Sequence, residues 1–95
     1  MKSMRIIVLI IILAMTNSIS AVTITVSAAA SLKDVMTEIK KAYEIENKVD
    51  KLIFNFGGSG SLQQQIENGA PVDIFISAAQ KQIDELDKKN LLVKT

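Results

Sequence analysis

The chain has 95 residues, with 11 Lys and Arg, 10 Asp and Glu, and no His, Cys or Trp. This length allows at most one small domain. The absence of Cys excludes disulfide scaffolds and thiol catalysis, and the absence of His excludes imidazole chemistry and His-ligated metals. A formal net charge of +1 provides no basic surface for nucleic acid, which is therefore not an expected partner.

Residues 1–21 have the segment order of a secretory signal peptide. Lys2 and Arg5 precede an uninterrupted apolar run at 6–15, and a polar stretch of mostly small residues follows it. A bilayer-spanning helix needs about 20 apolar residues, so this shorter run favours a cleaved signal over a membrane anchor. We expect cleavage after Ala21, with cleavage after Ser20 as the alternative, and export to the periplasm or the outside of a bacterial cell.

From residue 22 onward, three short apolar runs alternate with segments of helical periodicity, and the first run is rich in β-branched residues. The runs predict strands at 22–26, 52–56 and 72–76. The periodicity predicts helices at 31 to about 46, at 61 to about 68, and at 78 to about 89. Ser31 and Ser61 are predicted N-caps, and Gly69 and Asn90 are predicted stops.

The predicted helices each carry an apolar stripe. In the first helix we expect the inward stripe to consist of Leu32, Val35, Met36, Ile39 and Tyr43. In the third helix, Ile83 and Leu86 are expected to face inward.

This alternation predicts an α/β fold in the parallel order β-α-β-α-β-α, joined by right-handed crossovers. Three parallel strands leave open sheet edges, and residues 91–95 begin a further apolar segment. We therefore expect residues 22–95 to be the opening part of a larger domain. The alternative is a small exported interaction protein that pairs, as a stable dimer, through an open sheet edge.

Two serine-bearing turns, at 27–31 and 57–61, are predicted at the carboxyl ends of the first two strands, where α/β proteins bind ligands. Each turn would supply a hydroxyl and unpaired N–H groups at a helix N-terminus, which favours an anion. Ser31 and Ser59 are the candidate ligands. Small neighbouring residues would let the backbone approach the ligand closely; they are Ala28, Ala29, Ala30, Gly58 and Gly60. The simpler alternative is that the two serines only cap or turn the chain.

Other chemistry is poorly supported. The glycine-rich turn lacks the Gly-Lys-Ser/Thr ending of a P-loop, and no serine has a histidine or suitably spaced lysine as its base, so an enzyme is not expected. Asp73 lies at the opposite end of its strand from the serines and is predicted to be a cap or loop anchor.

Three blocks of sequence together form a specific pattern. The first is Val-Ser-Ala-Ala-Ala-Ser-Leu at 26–32, and the second is Asn-Phe-Gly-Gly-Ser-Gly-Ser-Leu-Gln-Gln-Gln-Ile at 55–66. The third is Gly-Ala-Pro-Val-Asp-Ile-Phe-Ile-Ser-Ala at 69–78. In their order and spacing, the blocks resemble the periplasmic molybdate-binding proteins of ABC transporters.

The resemblance implies that residues 22–95 begin the first lobe of a type II periplasmic binding fold, without the second lobe. It implies molybdate or tungstate as ligand, no cofactor, and a membrane permease as partner of a monomer. The family's first-lobe serines match Ser31 and Ser59, which would hold molybdenum only as the oxyanion. A late tyrosine of the family has no counterpart, because Tyr43 lies on the first helix. Another tetrahedral oxyanion such as sulfate is the alternative ligand.

Overall fold

The computed structural model describes residues 21–93, so the predicted signal peptide lies outside the described residues except for Ala21. The elements are β1 (Thr23–Ala29), a 3-10 turn (Ala30–Leu32), α1 (Lys33–Glu46), β2 (Lys51–Gly57), α2 (Ser59–Glu67), β3 (Ile74–Ile76) and α3 (Gln80–Lys88). The predicted α/β class and the order of its elements are confirmed.

The three strands form one parallel sheet in the order β2-β1-β3. β1 is central and pairs with β2 along its whole length, from Thr23 opposite Lys51 to Ala29 opposite Gly57. β3 pairs with the other side of β1 over three positions. Since all strands are parallel, their carboxyl ends lie at one edge of the sheet, which is the edge where α/β folds bind ligands.

The face of the sheet beneath α1 carries an apolar core. Val26 and Ala28 of β1 pack with Met36 of α1, and all three are buried. Partly buried side chains surround this cluster: Ile24, Leu32, Phe54, Phe56 and Ile76. The rings of Phe54 and Phe56 lie 5.4 Å apart in a tilted arrangement, a favourable geometry for aromatic pairs.

The opposite face is covered by α2 and α3. Leu62 of α2 and Leu86 of α3 are almost completely buried. A Cβ atom at Gly57 would lie 3.4 Å from the Leu62 Cδ2 atom, an ordinary van der Waals distance, so α2 packs directly over the end of β2. The Lys89 ammonium lies 2.7 Å from the Glu67 carboxylate and joins the ends of the two helices.

Both predicted helix stops are confirmed, and they share one geometry. Gly69 has φ +90° and Asn90 has φ +56°. At the end of α2, Gly69 N–H donates to the Ile66 carbonyl and Ala70 N–H to the Gln65 carbonyl. Asn90 and Leu91 repeat this pair of bonds at the end of α3. This is the Schellman motif, which needs a left-handed residue that Gly or Asn adopts most readily.

Both predicted N-caps are wrong. β1 continues to Ala29, three residues beyond its predicted end, and Ser31 falls inside the 3-10 turn. Helix α2 begins at Ser59 after Gly58, so Ser61 is its third residue. No side-chain hydrogen bond caps the 3-10 turn, α1 or α2. The sheet extends further than its β-branched residues indicate because alanine fits beneath packed helices.

The predicted stripe of α1 is wrong at two positions. Met36 is buried and Leu32 and Tyr43 are half-buried, but Val35 and Ile39 are 59% and 48% exposed. The apolar stripe is therefore wider than the face that packs on the sheet. In α3, Leu86 is buried and Ile83 half-buried as predicted.

Asp73 is the loop anchor that the sequence predicts. Its carboxylate accepts a bond from Thr25 N–H at 2.8 Å, and its own N–H donates to the Thr25 carbonyl at 2.9 Å. These bonds fix the approach to β3 against the start of β1. Among residues 21–93, no helix is both long and apolar enough to span a membrane.

Candidate functional site

The two candidate serines occupy equivalent places at the carboxyl edge of the sheet. Ala29 and Gly57 are the last paired residues of β1 and β2, and Ser31 and Ser59 each follow that pair by two positions. Paired parallel strands lie about 4.8 Å apart, so the segments that follow β1 and β2 begin side by side. The structure therefore brings the two predicted site residues to one edge.

Ser31 is exposed in the 3-10 turn between β1 and α1. Its hydroxyl does not cap the helix, because Leu32 holds the position before α1 without a side-chain bond. The capping explanation of this serine is thereby removed. An exposed hydroxyl at this turn can donate to a ligand outside the sheet.

Ser59 is the half-buried first residue of α2. Its Oγ atom accepts a hydrogen bond from Ala78 N–H at 2.9 Å, which joins α2 to the segment after β3. A serine hydroxyl accepts through its lone pairs and still has one O–H to donate. The Ala78 contact therefore fixes the oxygen and leaves the proton for another partner.

The small residues around the serines fall into two groups. Ala28 and Ala29 are buried within β1, so the expectation that they line an open turn is wrong. Ala30, by contrast, is exposed. At Gly58 and Gly60 an added side chain would meet nothing within 4 Å, and Gly58 has an ordinary extended backbone with φ −64°. Neither packing nor backbone conformation therefore requires a glycine at Gly58.

A third serine lies at this edge and is not among the predicted site residues. Ser77 directly follows β3, and its hydroxyl donates to the Ala79 carbonyl at 2.7 Å and accepts from Ala79 N–H at 3.2 Å. These bonds shape the turn that holds Ala78 N–H against Ser59. The signal was available, because Ser77 follows the third predicted strand just as the other serine-bearing turns follow theirs.

The site is uncharged. Residues 27–31 and 57–61 contain no Lys, Arg, Asp or Glu. In residues 21–93, no group of three His, Cys, Asp or Glu is placed to hold a metal ion. The available groups are hydroxyls and the N–H groups at the start of α2 and of the 3-10 turn that leads into α1, where helix dipoles favour an anion. This arrangement can bind an oxyanion through neutral donors, and it offers no base for catalysis.

Residues 24–95 match the family model of the bacterial extracellular solute-binding proteins. The chain belongs to this family. It is 42% identical over 71 residues to the molybdate-binding protein ModA of Haemophilus influenzae, covering 75% of this chain and 28% of that protein. It is 45% identical over 71 residues to the putative ABC transporter substrate-binding lipoprotein YvgL of Bacillus subtilis, covering 75% and 27%.

A solved structure agrees with these relatives. The substrate-binding domain of a putative molybdenum ABC transporter from Clostridium difficile has a TM-score of 0.74 and 56% sequence identity to this chain. The match covers 76% of this chain and 31% of that one. The chain thus spans about a quarter to a third of the length of the proteins it matches.

The resemblance read from the three sequence blocks is confirmed by these matches. The family consists of solute-binding proteins and not of enzymes, as the sequence predicts. The relatives' ligand is a transported solute, so the expectation of no cofactor also holds.

Proposed function

We propose that this chain supplies one side of a molybdate-binding site in the substrate-binding component of an ABC importer, with tungstate as a chemically equivalent ligand. The equivalent placement of Ser31 and Ser59, two residues beyond the last β1–β2 pair, is the observation that carries the proposal. Relatives whose names specify molybdate share this segment, which supports the choice of ligand.

Neutral donors suit a small, fully ionised oxyanion. A ligand that keeps an acidic proton needs a carboxylate acceptor, and the two turns contain none. Hydroxyl and N–H donors pair with the oxygens of a tetrahedral dianion that face this edge, without adding a counter-charge. Sulfate has the same charge and shape at a smaller size, so it is the competing ligand.

We further propose that residues 1–21 direct export, so that the site works outside the cytoplasmic membrane. The family is extracellular, and the basic, apolar and small-residue order of this segment is typical of a signal peptide. A monomer would then deliver its oxyanion to a membrane permease, with no chemistry on the ligand.

A chimera tests the proposed site. Residues 22–93 of this chain replace the matching segment of the Haemophilus influenzae protein, and molybdate, tungstate and sulfate are titrated by calorimetry. We expect molybdate and tungstate to bind and to displace sulfate. In this background, Ser31→Ala or Ser59→Ala is expected to weaken molybdate binding at least about tenfold, because each removes one donor to a charged group.

Ser61→Ala is the matched control, because Ser61 lies on the same helix as Ser59 and is exposed. It is expected to leave the dissociation constant unchanged. A folded chimera that does not bind molybdate would contradict the proposed function. A chimera that binds equally well with and without the hydroxyls of Ser31 and Ser59 would contradict the assignment of the site.

A further inference from the structure

The start of the described chain is attached to a carboxylate distant in sequence. Val22 N–H donates to Asp50 Oδ1 at 3.2 Å, and the Val22 carbonyl accepts from Lys51 N–H at 2.9 Å. Val22 precedes β1 and is half exposed. Its nitrogen and its carbonyl are therefore both held by the segment that begins β2.

The Asp50 carboxylate is itself fixed in position. Its second oxygen, Oδ2, accepts from the Tyr43 hydroxyl at 3.1 Å, which ties the carboxylate to α1. Within residues 21–93, no lysine ammonium lies within 4.0 Å of this carboxylate. A negative charge thus faces the Val22 nitrogen without a cation paired to it.

We propose that signal peptidase cleaves between Ala21 and Val22, and that the α-ammonium group so created binds Asp50 as the anchor of the mature N-terminus. This inference rests on the signal peptide of the proposed function, and it adds the cleaved bond and its acceptor. In the reaction, water hydrolyses the Ala21–Val22 peptide bond. Ala21 keeps the new carboxylate, and the Val22 amine takes up a proton, because α-amino groups are largely protonated near neutral pH.

The structure favours cleavage of the Ala21–Val22 peptide bond over cleavage of the adjacent peptide bonds. Ala21 is small, exposed and outside any strand or helix, as a cleavage site requires. Cleavage one residue later would remove the bonds that Val22 makes to Asp50 and Lys51. Cleavage after Ser20 would place the ammonium on Ala21, about 3.8 Å away from Val22 along the chain. The group beside Asp50 would then be the uncharged backbone N–H of Val22.

The charge that cleavage creates strengthens an existing contact. The Asp50 carboxylate is already an ionised acceptor, and an ammonium at Val22 adds an ionised donor and a direct attraction between opposite charges. The surrounding cleft, which lies between α1 and the start of β2, also contains charged side chains: Lys40, Glu44, Lys48 and Lys51. The Glu44 carboxylate instead contacts the Lys40 ammonium at 4.0 Å and Leu52 N–H at 3.5 Å, while Asp50 is the carboxylate that accepts from Val22 N–H.

The first experiment determines the residue at which the mature protein begins. The full 95-residue chain is expressed with its own leader in a bacterium, and the exported product is examined by intact mass and N-terminal sequencing. We expect a product of residues 22–95 beginning with Val22. A product beginning at Ala21, at any other residue, or with its leader retained overturns the proposed cleavage.

The second measurement is the pKa of the new α-amino group, followed by NMR of the ¹³C-methylated amine. In the exported product we expect this pKa to lie above that of the Asp50→Asn variant, and Asp34→Asn, on the exposed first turn of α1, to leave it unchanged. Equal pKa values of the α-amino group in the exported product and in Asp50→Asn would contradict the proposed contact between the Val22 ammonium and Asp50, whether or not the variant folds. Both readouts are independent of anion binding, so failure of the oxyanion site is distinguished from failure of this inference.

Discussion

At the scale of single residues, the surrounding segments determine which hydrogen bonds each serine hydroxyl can make. Ser31, Ser59 and Ser61 all follow predicted strands in similar sequence contexts. Ser61 points out of a helix that begins two residues earlier, while Ser59 accepts a bond from Ala78. Sequence could place Ser31 and Ser59 at the carboxyl edge. It could not show that Ser31 is uncapped or that Ala78 reaches Ser59, since both depend on where β1 ends and where β3 lies.

The phenol of Tyr43 provides a direct test of the Asp50 contact. The hydrogen bond to Asp50 raises the pKa of Tyr43 above 10.0, with smaller contributions from burial and from the carboxylate charge. The contact therefore stabilises the fold below about pH 10 and is lost as the pH rises through the raised pKa.

Because the chain has one Tyr and no Trp, ultraviolet absorbance follows this single group. We expect Tyr43 to ionise above pH 10 in the unmodified chain and at lower pH in Asp50→Asn. Identical titration curves would show that the Tyr43–Asp50 bond is absent in solution.

At the scale of elements, two glycines of one helical segment are expected to respond oppositely to alanine. Gly60 lies in the first turn of α2 and faces open space, so Gly60→Ala should stabilise the fold by about 0.4–1 kcal/mol by restricting the unfolded chain. Gly69 has φ +90°, so Gly69→Ala should destabilise it by roughly 1–2 kcal/mol. Urea unfolding of both variants measures these differences. A stabilising Gly69→Ala would contradict the left-handed end of α2.

The link between α2 and α3 predicts a pH dependence. Hydrogen bonds from Gln63 and Lys89 lower the pKa of the Glu67 carboxyl below its ordinary value. A lowered carboxyl pKa contributes stability above the ordinary carboxyl range, and this stability is lost as the pH falls through the lowered value. Glu67→Gln should therefore destabilise the chain near neutral pH and have less effect in acid.

Unfolding of Glu67→Gln is measured at about pH 7 and at about pH 3, on either side of the ordinary carboxyl pKa. Glu85→Gln is the control, because Glu85 pairs with Lys88 only within α3, at 3.5 Å. It should show a smaller loss, since exposed pairs within one helix contribute little. An equal effect of Glu67→Gln at both pH values would exclude an ionised Glu67 as the link.

Much of the element pattern could be predicted because local chemistry determines it. Gly69 and Asn90 end helices through their own backbone preferences, and short apolar runs form the strands. The exposure of Val35 and Ile39 could not be predicted, because periodicity gives a stripe but not the width of the surface it packs on. Strand ends were also misplaced, since Ala28 and Ala29 belong to β1 through pairing with Phe56 and Gly57.

At the scale of the whole molecule, the described residues leave apolar surface uncovered. Large apolar side chains are about half exposed on α1 and at the start of β3, including Val35, Ile39 and Ile74. Exposed apolar surface of this kind typically marks contact with further protein. The carboxyl edge that carries Ser31 is likewise open to solvent, so a bound oxyanion would stay hydrated on its outer side.

This openness predicts weak binding by the 95-residue chain alone. Neutral donors hold an anion tightly where water is excluded, because electrostatic interactions strengthen as the effective dielectric constant falls. The relatives are more than three times as long as the matched segment, and protein enclosing the ion from the other side would supply both that exclusion and further donors. Calorimetry of the chain with molybdate should therefore show weak binding or none, in contrast to the chimera. A dissociation constant below about 1 μM for the chain alone, equivalent to about −8 kcal/mol, would show that the donors around Ser31 and Ser59 suffice without enclosure.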